Sequence, residues 1–228
     1  MTSDLTPPHP AALTLATEAV RMGVPIPSET ASRLVAYLKA LLELNETVNL
    51  TAIRDLGDGI RRHLLDSLAG GLHAAEFGSI PRRVLDLGTG GGFPGIPLAA
   101  LWPASDVVLM DSTRKKVDAV RRTAETAHIP VILRWARAEE LALAGDPLLN
   151  SFDLVVTRAV APLPRVISLA APFLGRSGCV VSWKSQSLSD EERRTGDAMA
   201  TRLKLKRLPD IDYDSGLPAK LIRYQRAT

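Results

Sequence analysis

The sequence predicts an α/β protein: an open, mostly parallel sheet of about seven strands, helices on both faces, and a helical N-terminal extension. Three observations carry this. Short apolar runs recur from residue 82 onward, segments long enough for helices separate them, and the first 75 residues show helical spacing instead. Continuous apolar strands alternating with helices imply parallel pairing, because each crossover lays a helix over a sheet face. The 228 residues suffice for an extension (1–75) and a ligand-binding domain (76–228) packed as one compact unit.

Residues 1–10 are Pro-rich and expected to fray. Helices are predicted over 11–22 and 28–44, the second with Leu34, Leu38, Leu41 and Leu42 on one face. "NETVNLTAI" (45–53) reads as irregular. A helix over about 57–71 follows, carrying "IRRHLLDSL" with Ile60, Leu64, Leu65 and Leu68 at helical spacing. Strands are then predicted at 83–87, 106–111, 130–135, 152–158 and 178–184, with helices at 94–102, 113–127, 138–144 and 162–174. After a polar helix, "RLKLKRLP" (202–209) and "AKLIRYQR" (219–226) alternate apolar and basic residues. Period 2 predicts an antiparallel pair with a solvated basic face, joined by "DIDYDSGLP" (210–218) as a loop.

Hydrophobic residues make up 46% and charged residues 23%, a globular composition. A net charge of +3 permits an anionic partner without demanding one. The single cysteine, Cys179, cannot form an intrachain disulfide, and no cluster of metal ligands accompanies it, so no metal is expected. Neither a signal peptide nor an apolar run of roughly 18 residues is present, so a cytoplasmic chain without membrane contact is expected.

The stretch "LDLGTGGGFPG" (85–95) joins the first strand to the next helix, the position of a ligand-binding turn in an open α/β sheet. A phosphate-binding P-loop is excluded, since no Gly-Lys-Ser/Thr closes it. Gly90, Gly92 and Gly95 do spell G-x-G-x-x-G, and Asp111 follows about twenty residues on, which keeps a nicotinamide-dependent dehydrogenase open. Asp86 inside the strand extends the pattern to Asp-x-Gly-x-Gly-x-Gly. That pattern resembles the first motif of Rossmann-like S-adenosylmethionine-dependent methyltransferases, whose seven-stranded sheet has an antiparallel last strand. The likeness implies S-adenosylmethionine as cofactor, with Asp86 toward its ammonium, Gly90 and Gly92 beneath it, and Asp111 on the ribose.

Further motifs narrow this: "NLTAIRD" (49–55), "RHLLDSL" (62–68), "VLDLGTGGGFPGIPLA" (84–99), "LMDSTRKK" (109–116), "ARAEEL" (136–141), "VTRAVAPL" (156–163) and "SWKSQ" (182–186). Together they resemble the glucose-inhibited division protein B family, bacterial methyltransferases of a guanine N7 in 16S ribosomal RNA. Two departures stand out: Gly90-Gly91-Gly92 where Gly-Pro-Gly is common, and Ser185 where glycine often follows the lysine. The resemblance implies that Gly88 and Phe93 line the cofactor pocket, Ala138 and Glu139 sit beside the adenine, and Arg158 faces the cofactor or the reacting centre. It moves His63 and Asn49 toward the substrate side, while Ser185 leaves the role of Lys184 open; Arg158, His63 and Lys184 are the candidates for catalysis. The partner implied is 16S ribosomal RNA or the 30S particle, met by a monomer. A non-catalytic ribosome-binding protein is the other alternative.

The chemistry agrees with that target. No Asn/Asp-Pro-Pro-aromatic motif follows the fourth strand, which disfavours methylation of exocyclic amines, and no Pro-Cys pair exists for attack on a pyrimidine ring. Guanine N7 is a lone pair with no proton to remove, so positioning suffices. Arg54, Arg61, Arg62, Arg114, Lys115, Lys116, Arg165 and Lys184 are the candidate RNA contacts, although each taken alone reads better as a solvated surface charge. Calorimetry is expected to show binding of S-adenosylmethionine and none of NAD; the reverse result restores the dehydrogenase.

Overall fold

The computed structural model describes residues 9–74, 80–185, 188–216 and 218–227. Most of the Pro-rich start (1–8), the boundary placed at 75/76 and Gln186 of "SWKSQ" lie outside the described residues.

Two helices open the described chain, α1 (Pro10–Arg21) and α2 (Ser28–Val48). Leu34, Leu38 and Leu41 lie on the buried face of α2. The helix ends at Asn49 in the left-handed region (φ 54), which asparagine tolerates better than most residues. The single helix expected over 57–71 is three pieces: α3 (Leu56–Gly59), a π-helical segment (Ile60–Leu65) and α4 (Asp66–Ala74). Apolar spacing does not distinguish a π turn from the α turns around it. Such turns concentrate at functional sites.

The sheet unit follows as β1 (Arg83–Leu87), α5 (Gly95–Leu101), β2 (Asp106–Asp111), α6 (Arg114–Thr126), β3 (Ile132–Trp135) and α7 (Ala138–Ala144). It continues through β4 (Phe152–Arg158), α8 (Leu163–Ala170), β5 (Leu174–Ser185), α9 (Asp190–Arg202), β6 (Leu205–Arg207), β7 (Ile211–Asp214) and β8 (Pro218–Arg226). The strand order is β3-β2-β1-β4-β5-β8-β6, with the first five parallel and β8 antiparallel to β5. β6 pairs with β8 as the basic alternation predicts. The expected loop over 210–218 is in large part a further strand, for β7 also pairs antiparallel with β8 and brings the count among the described residues to eight. Its Asp and Gly residues read as turn chemistry, which masked the period-2 placing of Ile211 and Tyr213.

One sheet face (Val84, Val107, Leu109, Val156, Val181) shares a continuous core with residues of α1, α2, α4, α5 and α6. The other (Leu85, Val108, Val155, Val180, Ile222) packs with residues of α7, α8 and α9. The extension is thereby welded to the sheet. No helix among the described residues is long and apolar enough to cross a membrane.

Tyr37 of α2 reaches the glycine turn itself: it is fully buried and its hydroxyl donates to the Gly91 carbonyl at 2.8 Å. Gly92 has φ +90, and a Cβ there would lie 2.3 Å from the Tyr37 hydroxyl oxygen and 2.8 Å from Ile96. Gly90 has φ +57 with nothing within 4 Å of such an atom. Gly90→Ala is therefore expected to cost about 1–2 kcal/mol from backbone strain alone. Gly92→Ala adds overpacking and is expected to cost ~3 kcal/mol or more by urea denaturation. Equal losses would show that Tyr37 does not confine the turn.

Candidate active site

Strand order reverses between β1 and β4, and in open α/β sheets ligands bind at the carboxyl ends of the strands flanking such a point. The glycine turn leaves β1 there. Its start is pinned to β2: the N–H groups of Gly88 and Thr89 both donate to the Met110 carbonyl, at 2.9 and 3.0 Å. Asp111, at the end of β2, accepts from the Gly90 N–H through Oδ2 (3.0 Å) and from the Thr113 N–H through Oδ1 (2.8 Å). Its carboxylate holds two loops in register and also lines the cleft between them.

Asp86 is placed differently from the expectation. It is fully buried behind the turn and does not line the cleft. Its Oδ2 accepts from the Thr89 hydroxyl (2.6 Å) and the Gly95 N–H (2.8 Å). Gly95 is what permits this approach, since a Cβ there would lie 2.7 Å from that oxygen. Burial pushes the Asp86 carboxyl up to about 6, against the two hydrogen bonds, which favour the charged form. Gly92 also stands behind the turn, against Tyr37. The strand aspartate and the third loop glycine thus shape the turn and do not face its opening.

Three clefts adjoin here. The first, about 390 Å³, is lined by Gly88, Gly90, Phe93, Asp111, Lys116 and Arg158. A second, about 230 Å³, shares Gly88, Asp111 and Val160 with it and is walled by Ala138, Glu139 and Arg165. Glu139 is ion-paired with Arg165 across that opening. The third, about 350 Å³, meets the first at Arg158 and Ala159 and is lined by Arg62, Asp66, Trp183, Lys184 and Tyr213.

Arg158 forms the wall between the first and third. Its Nη1 donates to the Arg62 carbonyl (3.0 Å) and to Asp66 Oδ2 (3.1 Å), and its Nη2 donates to His63 Nδ1 (2.8 Å). The guanidinium carbon lies 5.4 Å from the centre of the Phe93 ring. Because arginine only donates, His63 Nδ1 accepts, and the proton of the neutral ring sits on Nε2, which donates to Thr51 Oγ1 (2.7 Å). Burial, then the adjacent Arg158 charge, lower the His63 pKa to about 3. The imidazole stacks on Phe93 with centroids 4.4 Å apart. Asp66 Oδ1 accepts from the Tyr213 hydroxyl (2.7 Å) and from Ser215 (3.2 Å), so β7 closes the far side of the third cleft.

Lys184 lies in that third cleft, held by the Ala161 carbonyl (3.1 Å) and by Glu192 (2.8 Å). Of the basic candidates, Lys116 lines the first cleft, Arg62 the third and Arg165 the second. Arg61 pairs with Asp58, Arg54 donates to the Asn45 carbonyl, and Arg114 lies over the Trp135 ring. Asn49 ends α2 and receives Arg54 at 3.5 Å, outside all three clefts.

Sequence reasoning missed Asn45, Tyr37 and Tyr213. Asn45 is fully buried; its Oδ1 accepts from the N–H groups of Leu50 (2.6 Å) and Thr51 (2.9 Å), and its Nδ2 donates to the Thr51 carbonyl (2.8 Å). It thereby fixes the loop that presents Thr51 to His63. The signal was there: Asn45 continues the spacing of Leu34, Leu38 and Leu41, and a polar residue in an apolar stripe needs internal partners.

A family model described as rRNA small subunit methyltransferase G matches residues 30–211. The chain is 36% identical over 176 residues to the ribosomal RNA small subunit methyltransferase G of Leptothrix cholodnii, covering 76% of this chain and 78% of that protein. It is 39% identical over 188 residues to the one from Sorangium cellulosum, covering 82% and 76%. Among solved structures, an O-methyltransferase from Bacillus cereus in complex with SAH superposes with a TM-score of 0.59 at 17% identity, over 93% of this chain and 97% of that one, a likeness of fold. Neither the dehydrogenase nor the non-catalytic alternative finds support in these matches.

The two shifted groups give opposite pH signatures. Unfolded, His63 takes a proton near 6.5; folded, only near 3, so stability falls as pH drops through that window. Asp86 keeps its proton longer when folded, so the stability it contributes is present below 3.8 and lost as pH rises through about 6. The stability gap between the wild type and His63→Gln is therefore expected to narrow as pH falls from 6.5 toward 3, read by urea denaturation. A gap independent of pH contradicts a neutral, buried imidazole.

Proposed function

The chain belongs to the rRNA small subunit methyltransferase G family, and on that premise we propose that it is an S-adenosylmethionine-dependent methyltransferase of N7 of a guanine in 16S ribosomal RNA. It acts as a monomer in the cytoplasm, on the RNA or the 30S particle. The observation that carries the reading is the adjacency of two clefts across Arg158 and Ala159, one floored by the glycine turn and the other not. A methyl donor and an acceptor base need such neighbouring seats.

The residues present suit that cofactor. The combined openings beside the turn are of ligand size, and Gly90 has open space where a side chain would stand. No Gly-Lys-Ser/Thr closes the turn as a P-loop would require. Gly88, Gly90 and Phe93 would hold the amino-acid end, Asp111 the ribose, and Ala138 and Glu139 the adenine. Asp86 and Gly92 would support the turn from behind. When bound, S-adenosylmethionine supplies a sulfonium-activated methyl group.

The chain's part is to bind, orient and exclude water. Its titratable groups are already engaged: His63 spends both ring nitrogens on Arg158 and Thr51, and Asp66 accepts from Arg158, Tyr213 and Ser215. Guanine N7 asks for no base, so these groups are free to position. Arg158, fixed at three points, retains its Nε–H and one Nη2 hydrogen among the described residues. These donors suit the guanine O6 while leaving the neighbouring N7 lone pair exposed. Lys184 and Arg62 add positive charge for the RNA backbone.

The test is methyl transfer to 30S particles and to naked 16S RNA, with the product identified by nucleoside mass spectrometry. 7-Methylguanosine is expected; another modified nucleoside overturns the proposal. Arg158→Lys keeps the charge but loses the fork that grips three acceptors, and is expected to cut turnover about a hundredfold.

A further inference from the structure

Trp135 stands at the rim of the same region, outside the residues that line the clefts. It ends β3, the edge strand, and is 56% exposed, whereas Trp102 and Trp183 are 3% and 4% exposed. Exposure of one indole means little by itself. Here the ring is also fixed. Its Nε1–H donates to the Ser112 carbonyl at 3.1 Å, and Ser112 lines the cleft at the glycine turn. The Arg114 guanidinium lies over the ring, 5.2 Å from its centroid. Arg114 opens α6 as Arg114-Lys115-Lys116, with Arg114 and Lys115 exposed and Lys116 reaching the cleft. An anchored aromatic plane, exposed cations and the cleft mouth therefore occupy one strand-to-helix corner.

We infer that Trp135 is a stacking platform for an unpaired base of the substrate RNA next to the target nucleotide, with Arg114 and Lys115 on the adjoining phosphates. Single-stranded RNA is bound by this combination of aromatic planes and cations, because every base has a stacking face and every linkage a charge. The cations beside the ring favour a polyanion over an apolar protein surface. The identity of the RNA rests on the methyltransferase reading above; the stacking itself does not.

Trp183 lines the third cleft and emits as well, so the emission assigned to Trp135 is the difference between the wild type and Trp135→Phe. Titration of the full chain with a single-stranded oligoribonucleotide is expected to quench it, and S-adenosylmethionine is not. Trp135→Ala is expected to raise KM for small-subunit ribosomal RNA about tenfold, with kcat and cofactor Kd unchanged, while Trp135→Phe stays near wild type. Emission unmoved by RNA, an unaltered KM in Trp135→Ala, or a loss confined to cofactor affinity each overturns the assignment. The titration needs no turnover, so failure of the methyltransferase reading would show in the product assay alone. A wild-type KM in active Trp135→Ala would sink the platform alone.

Discussion

The site depends on one cation that the fold holds in place on three sides. Arg158 ends β4 and reaches the π-helical segment and α4, where the Arg62 carbonyl, His63 and Asp66 receive it. Arg158 and Asp66 have side chains only 17% and 16% exposed, so the pair is partly desolvated and each charge would be costly without the other. Two clefts take their common wall from this grip. It also explains a histidine beside a cation: only a neutral imidazole offers an acceptor to one Nη2 hydrogen of the guanidinium, and burial keeps it neutral.

Around that cation runs a longer polar chain. Asn45 sets the loop, the loop sets Thr51, Thr51 takes the His63 proton, His63 and Asp66 take Arg158, and Asp66 takes Tyr213 from β7. Each link is a hydrogen bond between groups largely withdrawn from water, where an unmade bond costs more than a made one gains. The π-helical segment and the start of α4 together bring the Arg62 carbonyl, His63 and Asp66 to the same guanidinium.

The parallel sheet was legible in the sequence because strands buried on both faces are mostly apolar, as "VVLM" (107–110) and "LVV" (154–156) are. The glycine turn was legible because close backbone approach demands glycine. Asp111 was found through its spacing from the turn, and Arg158 through a family motif. What stayed hidden were contacts between distant segments. Asp86 looked like a ligand group because a strand aspartate before glycines has that position; only the fold reveals that it turns toward Thr89 and Gly95. Tyr213 sat among aspartates and a glycine, and its partner Asp66 is 147 residues away. No local pattern encodes such a pairing.

The hydrogen bond from Tyr37 to the Gly91 carbonyl has a consequence for how a ligand would be received. With Tyr37 behind, Asp86 beneath and Asp111 in front, the glycine turn is already ordered despite its residues being those with most conformational entropy to lose. Binding to a preorganised loop pays little to order it, so contacts made there appear almost undiminished in the affinity. The same clamp makes the affinity hostage to a helix that lines none of the three clefts. Any loosening of α2 is transmitted to the cleft as lost preorganisation, and the N-terminal helices become part of the binding site by their rigidity alone.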